Sequence, residues 1–150
     1  LGRIRLDDLN YENRWYESST AYGQSKLANL LFARQLARRL ARDGQGARVK
    51  VYSVHPGSIV TGLQRHSMGS YYFQKFIGRA LRRLGGFQLS TKTIEEGAST
   101  TLVACLAPGL ETGSYLVNCQ VAKSSARGED EAMMEALWEA SEALVSDWFP

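Results

Sequence analysis

An α/β chain carrying half of a doubly wound parallel sheet follows from three features of the sequence. A long helix from about Tyr22 to Arg42 leads into a short apolar strand over Arg48 to Val54, which is half of a parallel crossover unit. A second helix and strand follow, from Thr93 to about Leu106 and from Ser114 to Asn118. Two strands are too few to close such a sheet, so the amino-terminal half is absent and its strands are expected upstream of Leu1. With 150 residues, 44% of them hydrophobic, the chain has the length of one domain and apolar mass for a core.

Each element has its own signal. Leu1 to Thr20 is polar and irregular, a loop feeding a helix that Ser19 or Thr20 would cap. The helix is rich in Ala, Leu, Gln, Lys and Arg, with Leu27, Leu30, Ala33, Ala37 and Leu40 at helical spacing. Arg38, Arg39 and Arg42 in its last turn and Gly44 after it are stop signals. Val49, Val51, Tyr52 and Val54, between Gly46 and Pro56-Gly57, read as a buried strand. From Gly62 to Ser90, Tyr71, Tyr72, Phe73, Phe76 and Ile77 sit among basic residues, and a mostly helical excursion over the substrate is expected. Thr93-Ile94-Glu95-Glu96 matches a capping box. Glu129 to Asp147 reads as an amphipathic helix with Met133, Leu137, Ala140, Leu144 and Trp148 on one stripe, for core or subunit packing.

The net charge of +3 hides an asymmetry. No Asp or Glu occurs between Asp43 and Glu95, where Arg48, Lys50, Arg65, Lys75, Arg79, Arg82, Arg83 and Lys92 all fall. Such a run suits a cofactor phosphate or a membrane surface, or is a solvated face neutralised by the acidic carboxyl-terminal segment. No nucleic-acid motif is present, so a nucleic-acid partner is not expected. Cys105 and Cys119 have no second ligand at metal spacing and are expected as reduced, partly buried thiols. No metal site is expected from them or from His55 and His66, and no apolar run reaches the roughly 18 residues of a spanning helix.

Tyr22 and Lys26 stand four apart at the start of the long helix, on one face. An ammonium beside a phenol stabilises the phenolate, so such a pair suits proton transfer to or from an oxygen. The spacing alone is weak. Seven Tyr and five Lys would produce it by accident in about one chain in four, and Tyr71 with Lys75 repeats it inside an aromatic cluster that reads as packing or substrate wall.

Context separates the two. Ala21-Tyr22-Gly23-Gln24-Ser25-Lys26-Leu27-Ala28-Asn29 resembles the active-site helix of short-chain dehydrogenases/reductases, and Val54-His55-Pro56-Gly57-Ser58-Ile59-Val60-Thr61 resembles the Pro-Gly loop after that family's next strand. Lys26-Leu27-Ala28-Asn29, the Ala-Arg-Arg helix end and Leu137-Trp138-Glu139-Ala140-Ser141 resemble the retinol-dehydrogenase-like branch. Ile59-Val60-Thr61 with Arg65-His66, and Val121-Ala122-Lys123, resemble its plant members associated with chloroplast import still more closely.

The resemblance implies the carboxyl-terminal half of a single Rossmann-like domain and an oxidoreductase that moves hydride between NADP(H), with NAD(H) left open, and a small hydrophobic carbonyl or alcohol. It implies Tyr22 as general acid/base, Lys26 on the ribose hydroxyls, Pro56-Gly57 and the backbone at Ile59 around the nicotinamide, and Thr61 near its amide or the pyrophosphate. A homodimer, a membrane-surface association and the cellular compartment stay open, as does a non-catalytic truncated or regulatory subunit.

The departures are informative. The family's glycine-rich turn and its catalytic Ser and Asn are expected upstream of Leu1, so this half alone should not turn over. Gly44-Gln45-Gly46 follows a helix and cannot replace the turn, and Ser18, Ser19 and Ser25 read as capping or solvated residues. Gly23-Gln24-Ser25 is followed by Lys26-Leu27, which breaks a hydrolase elbow.

Overall fold

A computed structural model of the chain describes residues 2–59 and 92–148. Thr61, the Tyr71 and Lys75 pair, the excursion expected over Gly62 to Ser90 and most of the basic run lie outside the described residues. The chain divides into two compact units. One comprises Leu1–Val54, Pro108–Leu116 and Val121–Pro150, the other His55–Ala107 and Val117–Gln120.

The first unit is built on helix α1, Ser18–Arg42. Its cap is Glu17, whose carboxylate accepts the amides of Ser19 and Thr20, so these two residues are the capped groups rather than the expected caps. Two carboxylate oxygens satisfy two of the four orphan amides at once, which a hydroxyl cannot do. The helix ends where Gly44 turns to φ +71°, a conformation that disfavours a side chain. Its buried face carries Gln24, Leu31, Ala33, Gln35 and Ala37, with Leu27, Leu30 and Leu40 half-buried at the edges.

Helix α3, Glu131–Val145, packs on α1. Ile4, Leu31, Met134 and Leu137 form the shared core, flanked by Leu9, Leu27, Ala28 and Met133. The expected stripe on α3 is shorter: Met134 and Leu137 are buried, while Leu144 and Trp148 are exposed because the apolar cluster ends before them. The acidic residues of this region find their partners on α1. Arg34 pairs with Glu129 at 2.8 Å, Arg39 with Glu135 at 2.8 Å and Glu142 at 3.9 Å, and Arg38 with Glu131. Exposed pairs contribute about 0–1 kcal/mol each, against about 1.5–3 kcal/mol for burying a Leu side chain. The apolar cluster therefore holds the helices together, and the ion pairs set their register. Phe32 stacks on Trp138 with ring centres 5.4 Å apart, and the Arg39 guanidinium lies over the indole at 4.6 Å.

The sheet has the order β1-β2-β3, with β1 at Ser53–His55, β2 at Tyr115–Val117 and β3 at Gln120–Val121. A two-residue turn makes β2 and β3 antiparallel, and the mixed sheet pairs β1 with β2 in parallel. Strand β1 is shorter than the run expected over Arg48 to Val54 because the amides of Arg48 and Val49 close the turn after α1 onto the Gln45 carbonyl. Val51 bonds to the Thr112 hydroxyl instead of a ladder carbonyl. The third strand was not expected from the sequence.

In the second unit, helix α2, Ile94–Leu106, opens with the expected capping box between Thr93 and Glu96. Asn118 and Cys119, at φ +50° and +64°, form the tight turn between β2 and β3, and the buried Thr100 hydroxyl accepts the Cys119 amide at 3.2 Å. A two-residue hairpin with both central residues at positive φ is the type that matches strand twist. Cys105 and Cys119 are free thiols, both exposed rather than partly buried, Cys119 because it sits in the turn and not in the strand. Among the described residues no helix is long and apolar enough to cross a membrane.

Candidate active site

Tyr22 and Lys26 lie in the second and third turns of α1, in the first unit. The structure brings them together: the Lys26 ammonium stands 5.2 Å from the centre of the Tyr22 ring, within range of a cation–π contact. Tyr22 is 61% exposed, and among the described residues Lys26 makes no ion pair. A phenol hydroxyl and three ammonium donors are thus offered from one face of the helix to a ligand. Ser25 turns its hydroxyl back to the Tyr22 carbonyl at 2.8 Å, a local helical bond that takes it out of the constellation.

The cap that starts this helix carries its own pH dependence. Hydrogen bonds from the Ser19 hydroxyl, then from the Ser19 and Thr20 amides, lower the Glu17 pKa from 4.5 to about 2. A depressed carboxylate contributes stability above its unfolded value and loses it as pH falls toward the folded one. The melting temperature of Glu17→Ala should accordingly lie below that of the parent at neutral pH, with a gap that closes between pH 4.5 and about 2. A gap independent of pH would remove the cap from this account.

Pro56, Gly57 and Ile59 belong to the second unit, where they form a braced loop after β1. Gly57 has φ +89°, and a Cβ there would stand 2.9 Å from Cδ of Lys92. Its amide donates to Nδ1 of His55 at 3.0 Å. Lys92 donates its backbone amide to the Ser58 carbonyl at 2.8 Å and its ammonium to the Asn118 side chain at 2.6 Å, and its backbone forms a parallel bridge with Ile59. The Ile59 side chain rests on Gly97 of α2, where a Cβ would come within 2.0 Å of Cδ1 and 2.8 Å of Cγ1.

Sequence reasoning missed three of these groups. Gly97 had a usable signal, since a lone glycine in a helix interior costs about 1 kcal/mol relative to Ala and so points to a packing reason. Gln24 had a positional signal, since it stands three residues before Leu27 and seven before Leu31 on the inward side of the helix, but its polar side chain masked its burial. Lys92 read only as one more charge in the basic run.

No family model matches the chain. Curated proteins do. Retinol dehydrogenase 11 of Mus musculus is 40% identical over 153 residues, a match covering 99% of this chain and 44% of that protein. Retinol dehydrogenase 12 of Homo sapiens is 41% identical over 97% of this chain and 42% of its own length. The chloroplastic short-chain dehydrogenase TIC 32 A of Brassica napus is 39% identical over 95% and 41%. These identities do not separate the vertebrate from the plant relatives. A crystal structure of an uncharacterized protein from Mycobacterium paratuberculosis matches with a TM-score of 0.68 and 32% identity, over 97% of this chain and 46% of that one. The chain therefore spans less than half the length of the relatives it matches, and its described elements are part of a Rossmann-like α/β fold. By homology over nearly all its residues, the chain belongs to the short-chain dehydrogenase/reductase family, on its retinol-dehydrogenase-like branch.

Proposed function

We propose that the protein of which this chain is part is an oxidoreductase acting on a small hydrophobic carbonyl or alcohol with NADP(H). The observation that carries the reading is the exposed Tyr22 side chain with the Lys26 ammonium 5.2 Å from the centre of its ring, near the start of α1. Tyr22 gives its proton to the substrate oxygen in reduction and takes one in oxidation, a role worth about 10²–10⁴ in rate for a positioned acid or base. Lys26 holds the ribose hydroxyls, to which three donors on a flexible stem are suited, and keeps positive charge beside the phenol.

Pro56, Gly57, Ile59 and Thr61 belong in this reading to the cofactor's nicotinamide end. Each group by itself has chemistry that suits a dinucleotide: the Lys26 ammonium, in no ion pair among the described residues, suits sugar hydroxyls, and the Gly57 backbone has a conformation that a bulkier residue would not allow. When bound, the nicotinamide supplies or accepts the hydride. The names of the relatives support the reading, since they are dehydrogenases, two of them of retinol.

The test is NADPH oxidation by the full-length protein, followed by absorbance, with a panel of apolar aldehydes and ketones against short polar ones. Turnover with the apolar set, and weaker turnover when NADH replaces NADPH, is the expected result. Dinucleotide binding without turnover on any member of the panel would favour a non-catalytic subunit instead.

A further inference from the structure

Gln24 lies midway between Tyr22 and Lys26. Each helical residue advances about 100° around the axis, so Gln24 points to the opposite face from both. It is 6% exposed although its side chain is polar. A Leu or Met would fill the same space with a similar helix propensity, so packing alone does not explain an amide here.

Its hydrogen bonds do. Nε2 donates to the Leu9 carbonyl at 3.1 Å, and Oε1 accepts from the Arg5 amide at 3.3 Å and from Nη2 of Arg14 at 3.0 Å. Arg14 is itself held, with Nε 3.5 Å from the Asp8 carboxylate and its guanidinium 3.8 Å from the centre of the Tyr11 ring. The Asp8 carboxylate in turn accepts the amides of Glu12 at 2.7 Å and Asn13 at 3.3 Å. At the neighbouring position Gly2 lies directly on the Gly23 backbone, where a Cβ would stand 2.0 Å from the Gly23 carbonyl oxygen. The segment before α1 is thereby fastened to the back of the turn whose front carries Tyr22.

We infer that Gln24, together with Arg14, is a positioning residue for the Tyr22 hydroxyl, setting the rotation of the first turns of α1 about the helix axis. The inference rests on the reading of Tyr22 as the proton-transfer group. A rotation of about 10° moves an atom roughly 9 Å from the axis by about 1.5 Å. Displacements of that size at a reacting atom cost on the order of 10²-fold in rate.

The experiment compares full-length protein with Gln24→Met, Arg14→Met, the pair combined, and Gln24→Glu, which keeps the acceptor for Arg5 and Arg14 and loses the donor to Leu9. Gln24→Met should lower kcat by about 10- to 100-fold while KM for the carbonyl and the NADPH dissociation constant, read by fluorescence, stay within about twofold. The Arg5 amide should exchange hydrogen faster, the double variant should be no slower than Gln24→Met alone, and Gln24→Glu should fall between. Unchanged kcat with unchanged Arg5 exchange would overturn the inference. So would a kcat loss matched by equal weakening of NADPH binding and a lower melting temperature, which marks a merely structural role. Tyr22→Phe keeps the two claims apart: if it stays active the underlying reading fails, and if it is inactive while Gln24→Met behaves as the parent, only the inference fails.

Discussion

Tyr22→Phe is expected to reduce carbonyl turnover by the full-length protein by about 10³-fold or more and to leave NADPH binding within about twofold. The substitution deletes one oxygen from a side chain that is 61% exposed, so no buried hydrogen bond is lost and no cavity forms. Surface changes of that kind alter stability by about 0.5 kcal/mol or less. The ring over which Lys26 lies at 5.2 Å is retained, and with it the local geometry of the helix start. What disappears is the hydroxyl proposed to exchange a proton with the substrate oxygen.

Lys26→Met is the companion. It keeps the aliphatic stem and removes the charge, so it should weaken NADPH binding as well as kcat, a split that Tyr22→Phe does not show. If Tyr22→Phe keeps turnover close to the parent value, the proton has another donor and the assignment of Tyr22 ends.

The parts of this molecule that local rules control were legible in the sequence. Helix α1 announces itself by period and composition, and α2 by a capping box whose four residues make both expected bonds. The Tyr22 and Lys26 pair is a local fact too, because a spacing of four on a helix dictates a shared face. What was hidden depends on residues distant in sequence. Glu17 is not among the favoured capping residues, and only the geometry of its two oxygens makes it the cap. The acidic carboxyl-terminal segment was weighed against the basic middle of the chain. Its observed partners are Arg34, Arg38 and Arg39 of α1; of these, Arg38 and Arg39 had read as a helix end and lie 93 and 96 positions away from the carboxylates Glu131 and Glu135 they meet. The shortening of β1 has this origin only in part: the Thr112 hydroxyl takes the Val51 amide from a distant loop, while the local turn onto Gln45 takes the amides of Arg48 and Val49.

Gly97→Ala tests the part of the site that was least visible. Taken alone, α2 would gain about 1 kcal/mol from the exchange, because Ala is the better helix former. The tertiary contact reverses the sign. The new Cβ would stand 2.0 Å from Cδ1 of Ile59 and 2.8 Å from Cγ1, both closer than carbon atoms tolerate. A rotation of the terminal bond could move Cδ1 away. It could not move Cγ1, and a β-branched side chain has little freedom at the bond that would. The backbone at Ile59 must therefore shift, against the bond from Lys92 to Ser58 and the bridge that fix it.

Overpacking of this kind costs about 1–3 kcal/mol, which outweighs the helical gain. Because the displaced backbone is the one proposed to face the nicotinamide, NADPH binding by the full-length protein should weaken about tenfold. Ile59→Ala removes both clashing atoms, so the variant combining it with Gly97→Ala should bind NADPH better than the two single effects added together predict. Such a non-additive recovery ties the effect to this one contact. A Gly97→Ala protein that melts and binds as the parent does, or a double variant with strictly additive losses, would show that α2 does not brace the loop.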